Sequence, residues 1–124
     1  MDQRVVTVAT FMKENFQHKI TLHEMAHHVN LSIWHLSHLF KDETGVSAAE
    51  YLKNMRMQEA KELLETTFLS VKEIMAIVGI SDKSHFAKDF RRVFGLTPTQ
   101  YRKTKHRIAG AMIGTRGLAK SAAE

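Results

Sequence analysis

The chain contains one pattern of residues twice, and this repeat limits what it can fold into. The first copy covers residues 23–53 and the second covers residues 72–103. Each copy has the pattern of a helix, a tight turn and a second helix, which predicts two helix-turn-helix units. Such a unit places its second helix in the major groove of DNA, so the repeat favours a DNA-binding protein. Three matching pairs fix the alignment of the copies: Phe40 with Phe90, Gly45 with Gly95, and Tyr51 with Tyr101.

The overall charge also favours an anionic partner such as DNA. The 124 residues include 18 Lys and Arg against 13 Asp and Glu, which gives a net charge of +5 and a pI near 9.6. There are no cysteines, which excludes disulfides and cysteine-ligated zinc and fits a cytoplasmic protein. We find no signal peptide and no run of the ~20 apolar residues that a membrane span needs, so no membrane partner is expected.

Helix-capping signals and apolar spacing predict an all-α protein with seven helices. Capping boxes, in which a Ser or Thr and a Glu or Gln three positions later satisfy free backbone amides, are predicted at Thr21 with Glu24, Ser47 with Glu50, Ser70 with Glu73, and Thr97 with Gln100. Ser32 and Ser81 are predicted to cap two further helices. Residues that tolerate positive φ are predicted to end helices or form turns at Asn30, Gly45, Gly79 and Gly95. The predicted helices are Gln3–Phe16, Leu22–Val29, Ile33–Thr44, Ala48–Glu65, Val71–Val78, Asp82–Phe94 and Pro98–Lys105.

Apolar residues at helical spacing predict the side chains that form the core. The inward set of the first helix is predicted to be Val5, Val8, Phe11 and Met12. The inward set of the fourth helix is predicted to be Leu52, Met55, Ala60, Leu63 and Leu64. The third and sixth helices are predicted to bury Leu36, Leu39 and Phe40, and Phe86, Phe90 and Val93, respectively.

The outward faces of the third and sixth helices are predicted to contact DNA. At about 100° per residue, the equivalent outward positions pair Trp34 with Ser84, His38 with Lys88, and Lys41 with Arg91. Each helix thus presents hydrogen-bonding or cationic groups that can reach a base edge or a phosphate. An alternative for Trp34 is that it covers the edge of the core or contacts another domain. The full predicted set of DNA-binding residues is Trp34, Ser37, His38, Lys41, Lys83, Ser84, Lys88, Arg91 and Arg92.

The predicted helices divide the chain into two homeodomain-like lobes joined by a central helix. Residues 1–46 are predicted to form the first helix-turn-helix lobe, and residues 67–107 the second. Residues 47–66 are predicted to form the linker helix, which we expect to act as a stiff spacer because no segment is rich in Gly, Ser or Pro. Residues 108–124 are expected to form a flexible tail.

The two copies resemble the AraC/XylS family of bacterial transcription regulators. The resemblance covers about residues 5–107 and is most specific in the second copy, EIMAIVGISDKSHFAKDFRRVFGLTPTQYRK. The segment SIWHLSHLFKDETG of the first copy is especially similar to short, stand-alone members of the family. The resemblance implies a bilobed helical domain, in which a rigid central helix holds two recognition helices in successive major-groove segments.

The resemblance also implies roles for particular residues and partners. The positions that contact DNA in relatives include those of Trp34, Ser37, His38, Lys83, Ser84 and Lys88 here. Arg56 is expected to be structural and to pair within the linker helix. Relatives often have Arg where His38 stands, so base preference does not transfer. The resemblance implies activation through RNA polymerase, and many members carry a ligand-binding or dimerisation domain, so the chain is expected to be a stand-alone regulator or part of a longer one.

One motif points to a different class of protein. His23, Glu24 and His27 form the pattern H-E-x-x-H, which is found in zinc hydrolases. The extended zinc-binding form needs Gly and His where Asn30 and Ile33 stand, and the capping box explains Glu24 without a metal. We therefore predict no enzyme, no catalytic residue, no metal and no cofactor. The other alternative is a helical module that binds protein or RNA, although no aromatic residues are arranged as a base-stacking platform.

Overall fold

The structure, a computed structural model, describes residues 1–105 and contains helices and no strands within that range. The helices are α1 (Gln3–Asn15), α2 (Leu22–His28), α3 (Ile33–Thr44), α4 (Ala48–Thr66), α5 (Val71–Val78), α6 (Lys83–Phe94) and α7 (98–105). The predicted all-α fold with seven helices is therefore confirmed. The predicted tail at residues 108–124 lies outside the described residues.

Side-chain caps explain where most helices begin. Both bonds of the capping box form at Thr21 with Glu24, at Ser70 with Glu73, and at Thr97 with Gln100. At Ser47, the described contacts include the bond from the Glu50 N–H but not its reciprocal. The prediction that Ser81 caps α6 was wrong. The Asp82 carboxylate accepts from the His85 N–H at 2.9 Å instead, so Asp82 is the cap and not the first helical residue.

The residues that were predicted to form turns or end helices have the expected positive φ. Asn30 has φ of 59° and Gly79 has φ of 80°, and each lies in the turn between the two helices of its helix-turn-helix unit. Gly45 and Gly95 end α3 and α6 with φ of 85°. The two units therefore end their recognition helices in the same way, as the repeat in the sequence predicts.

Residues 1–105 form two apolar cores, and α4 contributes to both. The first core contains Val5, Val8, Met12, Met25, Ala26, Leu36, Phe40, Ala48 and Leu52. The second contains Met57, Ala60, Leu64, Ile74, Met75, Val78, Phe86 and Phe90. The linker helix thus changes from one core to the other between Leu52 and Met57. The proposed domain boundaries at residues 46 and 66 stay a prediction.

The core differs from the predicted set at several positions. Met57 is the buried methionine of α4, at 1% exposure, whereas Met55 is partly buried at the edge of the first core. Phe11, Leu39 and Leu63 are also partly buried rather than central. Val93, which was predicted to face inward on α6, is 40% exposed. It lies in the last turn of α6, where Phe94 packs against the second core instead.

Two arginines form hydrogen bonds to the loops that precede the helix-turn-helix units. The Arg56 Nε and Nη2 groups donate to the carbonyls of Phe16 and His18 at 2.9 and 2.8 Å. Arg102 donates to the carbonyls of the α4–α5 loop and its approach, at Leu64, Thr67 and Leu69. The prediction that Arg56 is structural agrees with these contacts, but its expected partner within the linker helix was wrong.

Candidate nucleic-acid interface

The outward face of α3 presents an aromatic pair. Trp34 is 68% exposed, and its ring lies against the ring of His38 with centroids 4.0 Å apart. Because they are four residues apart, the two side chains lie on one face of the helix. Lys41 is exposed one turn further along, and Ser37 is half-buried at the flank. The face is therefore mostly apolar and neutral at its start and cationic at its end.

His38 is held in one hydrogen-bonding state when its ring is neutral. Its Nδ1 atom lies 2.8 Å from the Trp34 carbonyl oxygen, which can act only as an acceptor. Nδ1 must therefore carry the proton, and Nε2 is left as an acceptor at the exposed end of the ring. A neutral His38 can accept a hydrogen bond from the exocyclic amine of cytosine or adenine, which are the donors of the major groove.

The outward face of α6 is cationic. Lys83, Ser84, Lys88 and Arg91 are exposed, whereas Phe86 and Phe90 on the opposite face are buried. Within the described residues, no carboxylate lies within ion-pair distance of these two lysines or of Arg91. Their charges are therefore available to a phosphate or to the acceptor groups of guanine.

Arg92 differs from the other cations of α6 because it already has an acidic partner. Its Nη2 lies 3.2 Å from Asp89 Oδ1, and Lys53 of α4 lies 3.6 Å from Asp89 Oδ2. Exposed pairs of this kind contribute little to stability, about 0–1 kcal/mol, but they reduce the positive charge available to DNA. We therefore expect Arg92 to be the weakest of the predicted phosphate contacts on α6.

The two recognition helices have caps of different charge. The hydroxyl of Ser32 caps α3, and the carboxylate of Asp82 caps α6. The His85 N–H that bonds to Asp82 is the main reason why the pKa of Asp82 lies below its ordinary value. The start of α6 thus carries the negative charge of Asp82 beside the positive charge of Lys83, whereas Ser32, Ile33 and Trp34 at the start of α3 carry no charge.

Sequence reasoning missed one exposed residue at the start of α3, namely Ile33. Ile33, at the first position of α3, is 44% exposed and borders the groove between α2 and α3. His35 and His85 are exposed at equivalent places on the two helices. Apolar periodicity does not identify Ile33, because a residue in the first turn of a helix can face either the core or the solvent.

The residues of the H-E-x-x-H motif lie on α2, where His23 and His27 line a groove together with Ile33 of α3. Glu24 accepts a hydrogen bond from the Thr21 N–H at 2.9 Å as part of the capping box of α2. Among residues 1–105, no group of three or more potential metal ligands is close enough to hold an ion. In the same part of the chain, no helix is both long enough and apolar enough to cross a membrane.

Comparison with known proteins identifies the domain. The helix-turn-helix domain family model matches residues 25–104, which is more than half of the chain. The lactose operon transcription activator of Staphylococcus xylosus is 37% identical over 92 residues, which cover 74% of this chain and 33% of that protein. In general, the chain spans about a third of the length of the curated relatives that it matches.

Solved structures show the same arrangement of helices. A transcriptional regulator from Chromobacterium violaceum with an AraC-type DNA-binding domain has a TM-score of 0.76 and 26% identity, with 83% of this chain and 92% of that one covered. The DNA-binding domain of AdpA, solved with a target DNA, has a TM-score of 0.78 and 25% identity, with 82% and 91% covered. The chain therefore belongs to the AraC/XylS family of DNA-binding transcription regulators, which are not enzymes.

Proposed function

We propose that this protein binds a specific sequence of double-stranded DNA through both recognition helices. The observation that supports this most strongly is the equivalence of α3 and α6. Each helix buries a pair of apolar side chains at matching positions, Leu36 and Phe40 or Phe86 and Phe90, and exposes polar or cationic side chains on its other face. Helices that only face solvent have no reason to share this pattern, whereas two units that both read DNA need the same buried and exposed faces.

The two helices are proposed to enter major-groove segments about one turn, or roughly 34 Å, apart on one face of the duplex. Since α4 contributes to both cores, the lobes cannot move far relative to each other without exposing apolar surface. The DNA therefore bends to fit the protein where the two do not match, at a cost of a few kcal/mol.

Each predicted contact residue has a proposed role. Trp34 packs against bases or sugars, His38 accepts from a base amine, and Ser84 and Lys88 read base edges or phosphates of the second block. The remaining contacts position the protein on the phosphate backbone through Ser37, Lys41, Lys83, Arg91 and Arg92. All of these residues except the half-buried Ser37 are exposed before DNA binds.

We further propose that the protein activates transcription by recruiting RNA polymerase. The support comes from the names of relatives, one of which is a lactose operon transcription activator. Because the chain matches about a third of such relatives, a ligand-binding or dimerisation domain is a further proposed partner. A cytoplasmic location, where bacterial DNA and RNA polymerase meet, follows from this proposal.

The test is in vitro selection of random duplex DNA by the purified protein in the presence of EDTA. We expect an asymmetric motif with two conserved blocks about one helical turn apart. One conserved block would mean that a single unit reads bases. No enrichment, or binding that EDTA abolishes, would contradict the proposal.

A further inference from the structure

The loop that follows α1 is the point where the two lobes meet. Phe16, which caps the C-terminus of α1, is partly buried and packs against both apolar cores. Among residues 1–105, each of the other partly buried apolar residues that pack against these cores packs against one core only. The position of this loop therefore depends on both lobes at once.

Arg56 ties this loop to the linker helix. Its guanidinium bonds to the Phe16 and His18 carbonyls at 2.9 and 2.8 Å, and it lies on α4 next to Met57, the first residue of that helix in the second core. A planar guanidinium with two acceptors holds them in a defined orientation, which a lysine ammonium does not. Arg56 therefore holds the loop at the place where α4 changes from one core to the other.

Gly79 brings the second helix-turn-helix unit directly against the same loop. A Cβ atom on Gly79 would lie 2.6 Å from the Phe16 carbonyl oxygen and 2.8 Å from that of Gln17, which is closer than real Cβ contacts allow. Gly45 and Gly95 also have positive φ, but a Cβ atom on either would meet nothing within 4 Å. Gly79 is thus required for contact between the lobes as well as for its turn.

We propose that Phe16, Arg56 and Gly79 form an interlobe clamp that sets the number of base pairs between the two DNA blocks. The inference rests on the proposed function, because it assumes that both units read DNA. Each added base pair moves the second block by about 3.4 Å and rotates it by about 34–36° around the duplex. A clamped protein cannot follow that change, so the clamp residues act as positioning residues for the choice of spacing.

The first test uses duplexes in which the selected blocks are moved closer or further apart by one or two base pairs. For each base pair added or removed between the blocks, wild-type protein should lose about tenfold or more in affinity. The reason is that binding of one lobe no longer places the other lobe at its own block. Arg56→Ala and Arg56→Lys should bind the best duplex several-fold more weakly, with a spacing penalty reduced to about threefold or less. Binding to a duplex with one block should be unchanged. Lys61→Ala is the control, because it also removes a cation of α4 and its side-chain contacts, with Glu65 and the Phe94 ring, but no bond to the loop carbonyls, and it should keep the wild-type profile.

The second test compares Gly79→Ala with Gly95→Ala. Both variants place alanine at a positive φ within the second lobe, but Gly79→Ala alone forces a Cβ against the Phe16 carbonyl. We expect Gly79→Ala to weaken two-block binding at the original spacing or to change the preferred spacing. Gly95→Ala should keep the preferred spacing. If the two variants have the same spacing profile, Gly79 has no part in the clamp.

A third test does not depend on DNA. The chain has no cysteine, so Thr10→Cys and Lys72→Cys, at exposed sites on α1 and α5, allow spin labels to report the distance between lobes. Arg56→Lys should broaden the narrow distance distribution expected for the otherwise wild-type protein, and Lys61→Ala should not. An unchanged distribution together with an unchanged spacing profile would overturn the clamp. If the wild type selects no two-block motif, the proposed function fails, and the labels still decide whether the lobes are clamped.

Discussion

Replacing Trp34 by alanine should weaken specific DNA binding and leave the fold intact. A tryptophan side chain offers ~150–250 Å², and Trp34 is 68% exposed, so about 100–170 Å² is free to be buried against DNA. At ~25 cal/mol per Å², this burial contributes about 2.5–4 kcal/mol. Ordering the side chain costs about 0.5–1.5 kcal/mol, which leaves a loss of about 1–3 kcal/mol in Trp34→Ala, or about 5- to 150-fold in Kd.

Fluorescence anisotropy with the selected duplex and with a scrambled duplex measures this loss. Thermal unfolding, followed by circular dichroism, should show a change in stability within about 0.5 kcal/mol, because the Trp34 ring lies outside the core. Val6→Ala removes a partly exposed apolar side chain on α1 and is the matched control, with no expected effect on DNA affinity. An unchanged affinity, or a loss of stability well above 1 kcal/mol, would refute the reasoning and give Trp34 a structural role.

Three further perturbations test other parts of the structure. Lys88→Ala should lower DNA affinity. If Lys88 contacts a phosphate, the slope of log K against log salt concentration should also fall by about one unit. A changed base preference at constant slope would instead show that Lys88 reads a base. Arg102→Ala should lower the free energy of unfolding by about 1–3 kcal/mol, because three carbonyls lose their donor. Lys103 is exposed, so the control Lys103→Ala should change it by about 0.5 kcal/mol or less. Urea unfolding measures both values. Burial, together with the bond to Glu65, raises the pKa of Tyr101 from 10.0 to about 12, so the neutral form stabilises the fold below pH 10 and this stabilisation is lost as pH rises towards 12. Tyr101→Phe should therefore show a smaller loss of stability in that range.

Local features of the fold were predictable because their signals lie close together in the sequence. A capping box needs two residues three positions apart, so Thr21 with Glu24 and Ser70 with Glu73 indicate helix starts without knowledge of the fold. The outward positions on α3 and α6 follow from helical periodicity, and all but Ser37 are exposed. Ser81 and Asp82, which precede α6, are both residue types that can cap a helix, so the local sequence does not decide which of them is the cap.

Contacts between distant parts of the chain were not predictable from local patterns. The Arg56 contacts join residues 38 and 40 positions apart, and the Arg102 contacts join residues 33 to 38 positions apart. A basic residue on a helix face gives no local sign that carbonyls from another loop will satisfy it. The same holds for Gly79, whose turn is evident in the sequence, whereas its close approach to Phe16 depends on how the lobes pack.

The two recognition helices differ in the physical basis of binding that they offer. The exposed face of α3 begins with the stacked rings of Trp34 and His38, whereas that of α6 carries Lys83, Lys88 and Arg91. Apolar burial is insensitive to moderate salt, but attraction to phosphates weakens steeply as counterions compete. We therefore expect salt to weaken the contacts of the second lobe before those of the first. Because one clamp joins the lobes, the first lobe then holds the second close to its block, so that weak contacts at α6 still contribute to the choice of site.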